Sequence, residues 1–156
     1  MVAVGTRQAP GLETIGVDDE RDLEMEGFLV FTDPIKADAA RALARLDRLG
    51  VRVKIITGDN DRVAQHACAG LGLPVAGVVT SAELERMDDA ELARRLPSTT
   101  IFARVTPEQK SRVIRAQRRL GVEVGFLGDG VNDAVALHDS DVGSGSPSPA
   151  WTATIA

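Results

Sequence analysis

Short apolar runs alternate with helical patterns along most of the chain. Four runs have the length and β-branched content of buried strands, at residues 27–32, 51–57, 100–105 and 122–127. Between them apolar residues recur at helical spacing, as with Val63, Ala67 and Leu71. Strands that alternate with helices predict an α/β fold with a mainly parallel central sheet. We therefore expect a three-layer, Rossmann-like domain.

Two helix starts are marked by residues that cap helices. Asp33 followed by Pro34 favours a helix that begins at Pro34 and ends at Gly50. Thr106 and Gln109 have the spacing of a Thr-x-x-Gln capping box, and they predict a second helix start directly after the strand at 100–105.

The remaining segments are less regular. VAVGT (2–6) predicts one strand, and the acidic stretch VDDERD (17–22) is typical of a connector. The polar segment at 81–96 predicts two short helices at the surface. The final stretch GSGSPSPAWTATIA (143–156) is rich in Gly, Ser and Pro and has no periodicity, so we expect little fixed structure there.

Composition excludes several classes of function. A chain of 156 residues with 44% hydrophobic content can bury one core of ordinary domain size. The net charge of −5 and the lack of a long Lys/Arg run give no reason to expect nucleic acid as a partner. Cys68 is the single cysteine, which excludes an internal disulfide and, with only two histidines, a Cys/His metal cluster. No run of apolar residues is long enough to span a membrane.

Polar residues collect where the predicted strands end. In an open parallel sheet, functional groups gather at the carboxyl ends of the strands. The residues found there, or in the first turn of the next helix, are Thr57, Gly58, Asp59, Lys110, Gly128, Asp129, Gly130, Asn132 and Asp133.

These residue types suit a phosphoryl group and a magnesium ion. Mg²⁺ prefers hard oxygen ligands, and Asp129 and Asp133 could supply them. Thr57 and Gly58 precede a helix start, where backbone N–H groups and the helix dipole favour a phosphate. Lys110 could neutralise negative charge that develops on a transferring phosphoryl group.

Each of these residues also has a purely structural interpretation. Asp59 or Asn60 could cap the helix that begins near Asp61, Asn132 could likewise be a cap, and Lys110 could be an ordinary surface lysine. The joint occurrence of three strand ends with suitable residues favours the phosphoryl hypothesis.

Four motifs resemble those of a known family. TGD (57–59), TPEQK (106–110) and GDGVND (128–133) are similar to motifs of the haloacid dehalogenase superfamily, in the form found in the phosphorylation domain of P-type cation-transporting ATPases. DPIK (33–36) resembles their Asp-Pro-Pro-Lys/Arg signature, with Ile in place of the second Pro. The resemblance extends over about residues 2–143 and is greatest to the magnesium-importing branch.

The resemblance implies Mg²⁺ and ATP as cofactors and assigns roles to the motif residues. It implies that Asp129 binds Mg²⁺, that Asp133 supports this metal site, and that Asn132 contacts the phosphoryl group. It also implies that Lys110 is a catalytic residue that pairs with the transferring phosphate.

Further roles concern the phosphate and the nucleotide. The resemblance implies that Thr57 and Gly58 hold phosphate oxygens and that Asp59 lies near the nucleotide, with Thr57 and Asp59 counted among the catalytic residues. Asp33 and Lys36 would belong to a hinge that faces a nucleotide-binding domain. The implied organisation is the end of that domain and the hinge at 1–26, the phosphorylation domain at 27–143 and an irregular tail at 144–156.

One motif of the family is absent. P-type pumps form an aspartyl phosphate within Asp-Lys-Thr-Gly-Thr, and this sequence does not contain that motif. The resemblance therefore implies a truncated pump fragment that is not catalytically competent alone and whose partner is the rest of a pump. The fragment would be cytoplasmic, and within a complete pump it would lie at the cytoplasmic face of the membrane.

The missing motif also affects the predicted sheet. The strand that carries the nucleophile would lie between those ending at Thr57 and Gly128, so its loss would leave an open central edge. We expect either self-association or a gap that another segment fills, such as the amino-terminal one.

Two other functions stay open from the sequence. The first is a freestanding phosphatase with Asp33 as nucleophile, although Ile35 stands where such enzymes place a second Asp. The second is a noncatalytic regulatory or interaction module that binds Mg²⁺ and phosphate or docks on an intact pump.

Overall fold

Contacts along the chain divide the computed structural model into two units, Met1–Pro34 and Ile35–Ala156. The structure describes residues 1–11, 14, 16–30, 35–36, 38–128, 133–145 and 153–155. Within these residues no helix is both long and apolar enough to cross a lipid bilayer.

The first unit is built on an antiparallel pair of strands. Strand β1 (Val2–Thr6) pairs with β2 (Glu24–Leu29), and a short 3-10 turn at Val17–Asp19 lies between them in the chain. The strand predicted at 2–6 is observed, whereas the one predicted at 27–32 begins three residues earlier, at Glu24. Phe28 and Leu29 are more than half exposed, at 59% and 54%, because two strands alone cannot bury both of their faces.

The second unit holds the remaining elements around one six-stranded sheet. In chain order they are α1 (Ala39–Arg48), β3 (Val53–Ile56), α2 (Asp61–Leu71), β4 (Val78–Thr80), α3 (Ser81–Arg86), α4 (Asp89–Arg95), β5 (Ile101–Ala103), α5 (Pro107–Arg119), β6 (Gly125–Gly128), α6 (Ala134–Asp139), β7 (Val142–Gly145) and β8 (Ala153–Ile155). The spatial order of the strands is β4-β5-β3-β8-β6-β7, and β8 is antiparallel to both of its neighbours.

Successive residues of the strands point to opposite faces of the sheet and so contribute to two separate apolar cores. Ile56 and Phe102 belong to the larger core, which also contains residues of α3, α4 and α5, whereas Ile55 and Ile101 pack with α2 on the other face. A strand buried on both faces must be apolar at successive positions, which explains the continuous apolar runs of the sequence. The α/β, Rossmann-like fold predicted from those runs is confirmed.

The gap expected in the sheet is occupied. β8 lies between β3 and β6, the position at which the sequence left a strand missing. The occupant comes from the carboxyl-terminal stretch and not from the amino-terminal segment, whose strand β1 pairs with β2. The prediction of little fixed structure at 143–156 is therefore wrong for the described parts of this stretch, which contain β8 and most of β7.

The helix starts agree with the sequence in one case and differ in the other. Thr106 caps α5 and forms the predicted box with Gln109. Helix α1, in contrast, begins at Ala39 after Asp38, so the predicted start at Pro34 is wrong. A Cβ on Gly70 of α2 would collide with the Ile35 Cδ1, which shows that Ile35 packs against α2 rather than beginning α1.

The polar segment at 81–96 contributes more to the core than its composition suggested. It forms the two predicted short helices, α3 and α4, but Leu84, Leu92 and Leu96 are fully buried. Leu84 and Leu92 lie on the inner sides of α3 and α4, Leu96 follows α4 directly, and all three belong to the core that includes residues of α5. The expectation of a purely superficial segment was therefore wrong.

Lys54 is a buried cation in the centre of this unit. Its side chain is on the same face of β3 as Ile56, and its Nζ donates hydrogen bonds to the Leu96 and Thr99 carbonyl oxygens at 2.5 and 2.6 Å. Burial, with a smaller contribution from the Arg52 charge, lowers the pKa of Lys54 to about 8. The ammonium thus joins β3 to the residues that follow α4. Keeping it charged costs free energy, because burial removes the water that would solvate the charge.

We predict that Lys54→Met removes a pH-dependent part of the stability. In the unfolded chain a lysine keeps its proton up to about pH 10.4, whereas in the folded chain Lys54 releases it near pH 8. The unfolded state therefore binds more protons in this interval, and the stability of the wild type rises with pH across it. Urea unfolding between about pH 8 and about pH 10 measures the slope.

The control for this prediction is Lys36→Met, because Lys36 is exposed. Burial raises the pKa of Cys68, so this thiol lowers the stability of the folded chain at high pH. The effect is the same in the wild type and both variants, and it therefore cancels when their slopes are compared. Lys36→Met should keep the wild-type slope. An unchanged slope in Lys54→Met would show that Lys54 does not titrate in this range.

Candidate functional site

The loop after β3 forms the first part of a candidate site at the carboxyl edge of the sheet. Thr57 is buried, its N–H donates to the Phe102 carbonyl at 2.9 Å, and its Oγ1 accepts from the Asp59 N–H at 3.1 Å. Gly58 and Asp59 are exposed. The cap of α2 is Asn60, whose side chain accepts from the Val63 N–H. Asp59 is therefore not needed as the cap, and its carboxylate lies at the exposed edge.

Two backbone hydrogen bonds join this loop to the segment after β5. The Arg104 N–H donates to the Asp59 carbonyl at 2.8 Å, and the Val105 N–H donates to the Thr57 carbonyl at 3.1 Å. Arg104 has a φ of 59°, a left-handed conformation that is uncommon for a residue with a Cβ. Such strain is maintained only where surrounding contacts determine it, and here those two bonds do so.

Lys110 and Asp133 form an ion pair at the same edge. Lys110 is in the first turn and a half of α5, and Asp133 directly precedes α6. The Lys110 Nζ lies 2.6 Å from the Asp133 Oδ1, and only 11% and 3% of the two side chains are exposed. The sequence had left open that Lys110 is an ordinary surface lysine, and its burial against a carboxylate excludes that interpretation.

Gly128 allows Asp133 to approach the end of β6. A Cβ built on Gly128 would lie 2.7 Å from the Asp133 Oδ2 and 3.0 Å from the Asp133 Cβ. The first distance is one that real Cβ atoms essentially never show and the second is tighter than most, so glycine is favoured here by lack of space rather than by an unusual φ. The glycine thus determines where the acidic partner of Lys110 sits.

Some of the residues predicted for the site cannot be placed. Asp33, Asp129 and Asn132 lie outside the described residues. Lys36 is described and exposed, and its carbonyl accepts from the Ala39 N–H at the start of α1. No group of three or more metal-binding side chains occurs among the residues that the structure describes.

Arg104 is a residue of this edge that the sequence analysis did not select. It is exposed, and within the described part of the chain its side chain has no hydrogen bond or ion pair. No sequence signal marked it, because the predicted strand at 100–105 included Arg104, whereas the observed strand ends at Ala103.

The fold and this edge define the class of protein. An α/β sheet with Thr57, Lys110 and Asp133 near its carboxyl ends is the arrangement expected of the family inferred from the motifs. A family model described as haloacid dehalogenase-like hydrolase matches residues 5–141. The chain belongs to this family.

Individual relatives define the resemblance further. Two proteins named magnesium-transporting ATPase, P-type 1, from Salmonella typhimurium and Escherichia coli, are each 44% identical to this chain over 92% of its length. Calcium-transporting ATPase 1 of Saccharomyces cerevisiae is 38% identical over 79% of the chain. The resemblance to P-type cation-transporting ATPases, and to their magnesium branch, is confirmed. The chain spans 16% of the length of the two magnesium-transporting relatives.

We predict that Gly128→Ala destabilises the domain by about 1–3 kcal/mol, because the new methyl group must displace Asp133 or the backbone. The matched control is Gly58→Ala, whose Cβ would meet only the Val105 carbonyl oxygen, at an ordinary 3.9 Å. Chemical denaturation measures both changes. Equal effects of the two substitutions would show that the close approach of Asp133 to Gly128 does not constrain the fold.

Proposed function

We propose that this chain acts as part of the phosphorylation domain of an ATP-driven cation pump of the magnesium-transporting class. The observation that carries the proposal is the buried Lys110–Asp133 pair at the carboxyl edge of the sheet. An ion pair that serves only to stabilise the fold could lie anywhere in the core. This one lies among the strand-end residues that a phosphoryl-transfer site requires, in a chain with pump relatives.

The residue types at this edge suit a magnesium ion together with a phosphate. Asp133 offers carboxylate oxygens beside Gly128, and in the proposed site Asp129 adds a second carboxylate. Mg²⁺ commonly takes one or two carboxylates and completes its shell with water and phosphate oxygens. A bound Mg²⁺ would supply neutralisation of the charge on the phosphoryl oxygens.

Lys110 and Thr57 would hold the phosphoryl group itself. Asp133 keeps the Lys110 ammonium at the edge, and the neighbouring cation offsets the cost of burying the carboxylate. The Gly58 N–H and the Thr57 hydroxyl would donate hydrogen bonds to phosphate oxygens, and Asn132 would add its amide. Among these groups, Thr57, Gly58 and Lys110 are positioned by the fold before a phosphate arrives, which is what electrostatic stabilisation requires.

The proposal includes ATP as the source of the phosphoryl group. Asp59 is exposed at the edge and would lie toward the nucleotide, while Asp33 and Lys36 would form the hinge toward a nucleotide-binding domain. The rest of such a pump would supply the adenine site and the membrane helices, and this domain would work at the cytoplasmic face of the membrane.

We further propose that the chain does not turn over ATP by itself. An aspartyl-phosphate pump needs an attacking carboxylate, and the Asp-Lys-Thr-Gly-Thr motif that carries it is absent from this sequence. Positioning and electrostatics accelerate phosphoryl transfer only when an acceptor is present.

We predict that purified chain incubated with γ-labelled ATP and Mg²⁺ retains no acid-stable label. The measurement is acid quench followed by gel detection, with and without hydroxylamine, which cleaves acyl phosphates. Asp33→Asn and Asp129→Ala serve as comparison variants. If the wild type formed hydroxylamine-sensitive label that Asp33→Asn lacked, Asp33 would be a nucleophile and the chain would be a freestanding phosphatase instead.

A further inference from the structure

The short helix α6 has ends that its own sequence does not explain. It contains six residues, whereas an isolated helix needs roughly 12 or more to be stable in water. Asp133 stands at its amino-terminal cap position but makes no capping hydrogen bond there. Asp139 ends the helix with a carboxylate, although the helix dipole favours a cation at this end. These two departures from the usual helix ends point to contacts outside α6.

Consecutive residues of α5 bind the two ends of α6. At the first end the Lys110 Nζ donates to the Asp133 Oδ1 at 2.6 Å. At the other end the Ser111 hydroxyl donates to the Asp139 Oδ2. Within α6 the Leu137 N–H donates to the Asp133 carbonyl at 2.8 Å. Because α6 is short and internally hydrogen-bonded, we expect its two ends to move together.

The Asp139 end of α6 is bound to α5 by further contacts. The Arg115 Nη1 lies 2.9 Å from the Asp139 Oδ2, and the Arg118 Nη1 donates to the Asp139 carbonyl at 3.0 Å. Ser111 is only 1% exposed, so its hydroxyl has Asp139 as an acceptor in place of water. The buried residue of α6 is Ala136, whose methyl group gives little apolar anchorage. The polar contacts of Asp139 therefore contribute much of what fixes this helix.

Asp89 forms a contrasting group of ion pairs on the same helix α5. It lies at the start of α4, and its carboxylate pairs with Arg112 at 3.2 Å and with Arg119 at 2.7 Å. Its side chain is 60% exposed, and exposed pairs of this kind contribute little to stability. Substitution of Asp89 removes two ion pairs from α5 without touching α6, which makes it a matched control for Asp139.

We propose that Asp139 is a positioning residue for the candidate site: by fixing the end of α6 against Ser111 and Arg115, it holds Asp133 beside the Lys110 ammonium. Asp139 is six positions after Asp133, about 9 Å by the rise of a helix, so it acts through α6 and not on a ligand. The use of Asp133 at a magnesium site rests on the proposed function, whereas its placement by α6 does not.

The test observes the Lys110 ammonium directly by NMR of the ¹⁵N-labelled full chain. Ammonium protons give a signal only where burial or an ion pair slows their exchange with water. The chain has three lysines, of which Lys36 is exposed. Lys54 is buried and bonded to two carbonyl oxygens far from α6 in the chain, so its signal is an internal reference for an intact fold.

Three variants separate the contact with α6 from a general loss of ion pairs. Asp139→Ala should abolish the Lys110 signal and keep that of Lys54. Ser111→Ala removes one of the donors to Asp139 and should weaken the Lys110 signal. Asp89→Ala should leave the Lys110 signal as it is in the wild type, although it deletes two ion pairs from the same helix.

Magnesium titration by calorimetry gives the second readout. Asp139→Ala should weaken Mg²⁺ binding about tenfold, which is the size of effect found when a group that orients a metal ligand is removed. Asp89→Ala should bind Mg²⁺ like the wild type.

Several results would overturn the positioning role. One is an Asp139→Ala chain that keeps both the Lys110 and the Lys54 signals. Another is an Asp89→Ala chain that loses the Lys110 signal to the same extent as Asp139→Ala. A wild type in which Lys54 gives a signal and Lys110 gives none would also contradict it, because the pair would then not be held. If Asp139→Ala does not fold, Ser111→Ala decides, and an unchanged Lys110 signal there counts against the proposal.

The two readouts distinguish this proposal from the proposed function. A wild type that binds no Mg²⁺ but whose Lys110 signal depends on Asp139 would contradict the proposed function and support the positioning role. Mg²⁺ binding in the wild type, with affinity and Lys110 signal both unchanged in Asp139→Ala, would contradict the positioning role alone.

Discussion

The ion pair between Lys110 and Asp133 is the interaction on which the candidate site depends. It connects α5, which follows β5, with the segment between β6 and α6, and its two charged atoms lie 2.6 Å apart in a buried setting. A buried carboxylate or ammonium alone would cost several kcal/mol, so each makes the burial of the other possible. The pair is also a constraint on the sheet, because it requires β5 and β6 to end at the same edge.

Other features of the carboxyl edge help to position the Lys110–Asp133 pair and Thr57. Gly128 gives Asp133 the space to reach its position, and the Thr106 capping box fixes where α5 begins and hence where Lys110 lies. The bonds from Arg104 and Val105 to the loop after β3 join Thr57 to the same structure. The site is therefore built from local features of three strand ends, each of which depends on buried apolar strands behind it.

The sequence predicted the parts of this structure that follow from local pattern. Runs such as IFA (101–103) are apolar at successive positions, as suits a strand buried on both faces, and the cap at Thr106 has a distinctive spacing. The predicted start of α1 failed because Ile35 packs against α2, a contact between distant residues that no local signal reveals. β8 could not be predicted, since ATI (153–155) is a strand only because two distant strands leave a slot for it.

The contact between the two charged side chains of the site could likewise not be predicted from local sequence patterns. Lys110 and Asp133 are 23 positions apart, and the sequence suggested separate roles for them, one toward a phosphate and one toward a metal. The structure shows that the two side chains contact each other, so neither role is independent of the other. Arg104 was overlooked because its unusual backbone, and not its residue type, marks it.

The central claim, that the carboxyl edge binds magnesium and phosphate together, is tested most directly by a two-step NMR titration of the full chain. Mg²⁺ should shift the amide resonances of residues 128–133, and inorganic phosphate added afterwards should shift those of Thr57, Gly58 and Lys110. Asp129→Asn should abolish the first response and weaken the second. Shifts confined to exposed acidic residues such as Asp88 and Asp89, or a response that Asp129→Asn leaves intact, would contradict the claim.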